Sequence, residues 1–171
     1  VEDPLATMSK RLIEASTSLE ELTNQSSELV AQSNAQLQEI GDRQFESKKD
    51  LREAKKESIE ILEKSIAKLV ETNSELNDAA SKLNMAYSDI SAESIKTTTT
   101  GTEKIESTVE TAIPAVESLK EKVKAAKSPE ELKSLINIAS KNLSHTNNIF
   151  SEESQKMNSS ISEARKTVVK K

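Results

Sequence analysis

The sequence predicts an all-α protein, an elongated up-and-down bundle of about four long amphipathic helices forming a single domain over residues 1–171. Three observations carry that expectation. Only two glycines and three prolines occur in 171 residues, so the chain has few places to turn and its elements must be long. Apolar residues recur at spacings of three and four through most of the chain, the period of one helix face rather than the alternation of a strand. Hydrophobic residues make up 34% and charged residues 31%, with aromatics at 2%, which suits thin aliphatic seams between solvated faces. So low an apolar content can also leave a chain disordered. The strict spacing argues for folded helices instead.

The expected helices cover about 5–40, 50–97, 102–127 and 129–170. Pro4 suits the start of the first. Its heptad seam reads Leu5, Met8, Leu12, Ala15, Leu19, Leu22, Ser26, Leu29, Ser33, Gln36 and Ile40, turning polar in its second half. The pattern thins between Gly41 and Glu57, where Phe45, Leu51 and Ala54 are the apolar residues, and the phase slips by one residue. A turn inside 41–50 is expected, with a continuous stuttered helix as the competing reading.

The second helix has the clearest seam. Leu62, Leu69, Leu76, Leu83 and Ile90 recur every seven residues, and Ile59, Ile66, Asn73, Ala80 and Tyr87 are expected between them. A lone asparagine in such a row commonly fixes register. The run of four threonines before Gly101 then predicts a stop at 97–102. β-Branched threonines lose side-chain freedom in a helix, and glycine readily adopts the positive φ of a helix end. Thr100 or Thr102 would cap the third helix, with Glu103 completing a capping box.

The third seam reads Ile105, Val109, Ala112, Val116, Leu119, Val123 and Ala126, with a kink or irregular turn expected near Thr111 to Pro114. The fourth helix has the sharpest start. Ser128 is placed as N-cap, Pro129 at the first helical position, and Glu130 and Glu131 in the first turn. Its seam runs through Leu132, Ile136, Ala139, Leu143, Phe150, Met157, Ile161, Ala164 and Val168, and Lys166, Lys170 and Lys171 suit the negative end of the helix dipole. The alternative is three helices, the last one kinked near Ser128–Pro129.

The residues offer little for catalysis. His145 is the single histidine, and Asn142 stands where a metal-binding ExxH pattern needs glutamate, so no zinc or di-iron set is expected. No glycine-rich phosphate loop, EF-hand loop or glycine elbow occurs. Glu20–Glu21 and Glu152–Glu153 are adjacent pairs, which point in different directions on a helix. The acceptor triplets at Asn24, Asn142 and Asn158 are what chance supplies in a chain rich in serine and threonine. Neither an enzymatic activity nor a cofactor is expected.

A net charge of −5 without a basic stripe, together with three aromatics, speaks against nucleic-acid binding. No apolar run reaches the roughly 18–20 residues of a membrane span. The opening VEDPLATM lacks the basic start and apolar run of a signal peptide. A chain beginning at Val1 fits a mature chain after signal removal, an excised domain, or a cytosolic chain that lost its methionine. The absence of cysteine fits a reducing compartment or a bacterial-type exported protein. A secreted or surface location is expected ahead of a cytoplasmic one.

In general texture, amphipathic helices with aliphatic seams and no cysteine, the chain resembles the exchangeable apolipoproteins and the helical surface antigens of bacteria and parasites. The likeness is compositional and transfers no site residues. The expected function is that of a non-catalytic interaction protein binding a partner macromolecule through a helix face or a bundle end. Its alternative is binding of lipid or a small apolar ligand, as the apolipoprotein likeness implies.

Overall fold

The computed structural model describes residues 3–88 and 90–170, with side chains as far as Val168. It contains four helices, α1 Pro4–Gly41, α2 Lys48–Tyr87, α3 Ala92–Ala125 and α4 Pro129–Lys170, packed as a four-helix bundle, and no strand among the described residues. The expected all-α class with four long helices therefore holds. Lys171 and the Lys170 side chain lie outside the described residues.

Each helix begins on a side chain that accepts a backbone N–H. Asp3 Oδ1 accepts from Leu5 at 3.0 Å, Ser47 Oγ from Asp50 at 3.2 Å, Ser91 Oγ from Ser94 at 3.1 Å and Ser128 Oγ from Glu131 at 3.2 Å. Such caps satisfy N–H groups that have no intrahelical partner. Two of them are reciprocated, by Asp50 accepting from Glu46 N and by Glu131 accepting from Lys127 N. The cap at Ser128 is the one expected, and Ala126–Ser128 separates α3 from α4, so the three-helix alternative does not apply.

The boundaries expected at 50–97 and 102–127 are corrected. α2 ends at Tyr87, and α3 starts at Ala92 and runs through all four threonines and Gly101. No described glycine has a positive φ. Seam packing overrides the weak propensities of threonine and glycine, which sum to only a few kcal/mol. Thr98 and Gly101 occupy buried positions in line with Ser94, Ile105 and Val109, and Thr102 Oγ1 donates to the Thr98 carbonyl at 2.7 Å. The helix also continues through Pro114. Pro114 and Glu110 are both exposed, so the carbonyl that proline leaves unpaired faces water.

The seams of α3 and α4 bury every residue expected of them. Those of α1 and α2 are corrected in part. In α1 the buried row steps from Ser26 to Val30, Ser33, Leu37 and Ile40, leaving Leu29 half-buried and Gln36 exposed. In α2 the leucines at 62, 69, 76 and 83, Ala80 and Tyr87 are buried as expected, but Ser58, Ser65 and Thr72 replace Ile59, Ile66 and Asn73, and Ile90 lies half-buried beyond the helix end. The cause is the period. The α2 row advances about 3.7 residues per step from Ala54 to Tyr87, close to the 3.6 of a straight helix rather than the 3.5 of a heptad seam. Serine tolerates the interior because its hydroxyl can return to its own helix. Ser58 donates to the Ala54 carbonyl and Ser65 to that of Ile61, both at 2.8 Å.

The chain divides into two compact units, each drawing on all four helices. Unit 1 takes residues up to Gln25, Thr72–Ser107 and the chain from Ile149. Its core holds Leu12, Leu19, Leu76, Leu83, Tyr87, Ile105, Phe150, Met157 and Ile161. Unit 2 takes Ser26–Glu71 and Thr108–Asn148. Its α3 and α4 contribute an aliphatic half from Val109 to Leu143, whereas its α1 and α2 bring four buried serines. Within unit 2, Lys55 Nζ donates to the Ala126 carbonyl at 2.8 Å, placing a cation on the C-terminus of α3. Arg43 bridges Glu39 and Glu57. Its hydrogen bond holds the Glu57 carboxyl below the usual carboxylate range.

Candidate functional site

The positions singled out in the sequence do not converge. His145 is exposed on α4. Asn73 is half-buried beside the α2 row, its Oδ1 buried without a hydrogen-bond partner. Of the adjacent acid pairs, Glu20, Glu21 and Glu152 are exposed and Glu153 is buried. Asn158 accepts a hydrogen bond from Ser16 at 3.0 Å, tying α4 to α1 in unit 1. The described residues hold no group of three or more His, Cys, Asp or Glu able to bind a metal, and no described helix is long and apolar enough to cross a membrane.

Three features of unit 1 stand out. The first is a groove of about 360 Å³ between α1 and α2. Arg11, Glu14, Ala15 and Ser18 form one wall, and Ala79, Lys82, Met85 and Ala86 the other. The alanines give a shallow floor, while Arg11, Glu14 and Lys82 supply charge at the rim. Met85 is 75% exposed, the most exposed of the described large apolar side chains. It lies off the buried α2 row, which passes through Leu83, Ala86 and Tyr87.

The second is a buried polar layer. The Tyr87 hydroxyl and Thr98 Oγ1 are shielded from solvent, and no hydrogen bond of normal geometry reaches either. Burial pushes the Tyr87 phenol up to about 12, against a smaller opposing effect of the nearby Ser160 and Thr98 hydroxyls. The third is an open cleft over the first turns of α3 and the facing stretch of α4, lined by Ala92, Glu93, Lys96, Thr97, Thr100, Lys104, Glu153 and Lys156. At its wall, one buried carboxylate oxygen, Glu153 Oε1, pairs with Lys104 at 3.1 Å and Lys156 at 3.2 Å.

An alanine-floored groove with a flexible thioether at its edge can seat an apolar helix face, and an array of lysines can hold an anion. Comparison with protein-family models, curated proteins and solved structures finds no match to this chain.

Proposed function

We propose that this protein is a non-catalytic interaction module that seats an amphipathic helix of a partner protein in the α1–α2 groove of unit 1. The observation that carries the reading is Met85, held 75% exposed beside the floor of Ala15, Ala79 and Ala86. Small floor residues let a helix backbone approach closely, and an unbranched, polarizable methionine adapts to the side chains it meets. Arg11, Lys82 and Glu14 at the rim would set orientation more than affinity. The buried serines and threonines of α1 and α2 favour this over lipid binding. A surface-seeking helix needs a broad apolar face, and hydroxyls interrupt these rows.

A photoreactive amino acid placed at residue 85, compared with one at Ile138 on α4, tests the reading in extract of the source cells. The expected result is a discrete adduct from position 85, competed away by excess unlabelled protein and lost when Ala79→Glu fills the groove. Equal labelling from both positions, or labelling that excess protein does not compete, would remove the groove as the docking site.

A further inference from the structure

We propose that the cleft of unit 1 between α3 and α4 is an anion site, built to take a phosphate-ester or sulfate-ester group on a larger molecule. The proposal is independent of the α1–α2 groove.

Its foundation is Glu153, which is only 3% exposed. Burying a carboxylate is unfavourable unless it is paired and hydrogen-bonded. Here lysines from two helices supply the pairing, Lys104 from α3 and Lys156 from α4, both on the same oxygen. Gly101 lies beside this carboxylate, and a Cβ there would make an ordinary contact with Glu153 Oε2 at 3.5 Å. One inward anion thus fixes two ammonium groups close together, while their side chains stay 50% and 63% exposed. The two lysines gather two positive charges at one wall of the cleft, in a chain whose total is −5.

An ammonium carries three N–H donors, so its pairing with Glu153 does not exhaust Lys156. A tetrahedral oxyanion offers several oxygens, enough to bridge the two ammoniums and also meet the cleft hydroxyls of Thr97 and Thr100. Lys96 also lines the cleft, two turns before Lys104 and about 12 Å away along the helix. It is placed for a second negative group on the same ligand. Glu93, the other acid of the lining, narrows the site to ligands that direct their charge toward the lysine pair. The threonine run has a role in this reading. It places Thr97 and Thr100 on the cleft side of α3 while Thr98 faces the core.

The test is an NMR titration of the full chain with inorganic phosphate, and separately with inorganic sulfate, at constant ionic strength set by chloride. Saturable shifts are expected in residues 96–104 and 153–156, with millimolar affinity for the bare anions. Lys156→Gln should weaken binding about tenfold, the loss of one charge-assisted contact. Lys124→Gln, at an exposed pair with Glu121, should leave it unchanged. Lys96→Gln keeps the Glu153 trio intact, so it separates lost binding from a loosened carboxylate. It should reduce affinity for inositol hexakisphosphate more than for inorganic phosphate. Saturation by both anions identifies charge recognition, and saturation by phosphate alone identifies a site that also accepts a hydrogen bond from the ligand's O–H. Shifts that rise linearly and spread over lysines throughout the chain overturn the proposal. So does an affinity unchanged by both Lys156→Gln and Lys104→Gln.

Discussion

Gly101 of α3 lies directly against Met157 of α4, so that a Cβ built on the glycine would stand 3.1 Å from the methionine Cε. Two effects oppose each other there. Replacing a helix-interior glycine by alanine gains about 1 kcal/mol of helix propensity. The new methyl presses on a side chain that is fully buried but ends in a flexible thioether. Gly101→Ala should therefore leave stability within about 0.5 kcal/mol of the parent, as the Met157 tip gives by a few tenths of an ångström. Gly101→Leu has no such escape, and overpacking should destabilise it by about 1–3 kcal/mol or more. Urea denaturation of both variants checks the contrast. Equal losses would mean that Met157 cannot yield at all.

In unit 2 the buried pair Ser33–Ser65, with oxygens 3.1 Å apart, joins α1 to α2. Ser65 already donates its proton to the Ile61 carbonyl, so Ser33 is the donor between them. Ser65→Ala should then cost more than its few lost contacts suggest, about 1–3 kcal/mol, because the Ser33 hydroxyl is left buried without an acceptor across the interface. Removing both hydroxyls should recover much of that loss. A double-mutant cycle should give a coupling above about 0.5 kcal/mol, and strict additivity would contradict the assignment.

How much of this was legible in the sequence depends on residue chemistry. The α3 row from Ile105 onward and the apolar part of the α4 row could be read because Val116, Leu119, Ile136, Leu143 and their neighbours are aliphatic at nearly every inward position. The α2 row was misread by one residue at Ser58, Ser65 and Thr72, since a serine that returns its hydroxyl to its own helix looks polar in sequence and acts as a small core residue. The starts of α2 and α3 carry serine caps, Ser47 with Asp50 three residues on and Ser91 with Glu93 in the first turn. The threonines outweighed them because propensity is local, whereas the burial of Thr98 and Gly101 arises from α4. The site features were less accessible still. Lys156 and Glu153 are visible as a helical i,i+3 pair, but only the packing of α3 on α4 brings Lys104 to the same oxygen.

Tyr87 supplies a prediction at high pH. Its phenol rises from 10.0 to about 12 because burial disfavours the charged form. A group with a raised folded-state value contributes stability that is complete below its unfolded value and is lost as pH climbs toward the folded one. That window is pH 10 to about 12. Tyr87→Phe should remove this part of the alkaline loss. At neutral pH it should be neutral or stabilising by about 1 kcal/mol, since the hydroxyl it deletes is buried without a well-formed hydrogen bond. As Tyr87 is the single tyrosine, tyrosinate absorbance follows its titration without interference. Titration near pH 10 in the folded protein would show that the hydroxyl reaches water.

The threonine run yields the last prediction. As a connector, KTTTTGTE could be exchanged for a glycine–serine linker of equal length with little consequence. In α3 the same exchange removes a buried Thr98 and the Thr102 back-bond, and introduces several glycines into a helix interior. At up to about 1 kcal/mol per glycine, the exchange should destabilise the protein by roughly 2–4 kcal/mol. Limited proteolysis offers a second measure. Lys127 sits in the short Ala126–Ser128 connection and Lys48 at the start of α2, whereas Lys96 and Lys104 lie within α3. Trypsin requires locally extended backbone, so fragments ending at Lys127 or Lys48 should precede those ending at Lys96 or Lys104. Mass spectrometry of the earliest fragments gives the order. Early cleavage at Lys96 or Lys104, together with full tolerance of the linker, would show that α3 begins after the glycine and that the threonines are a loop.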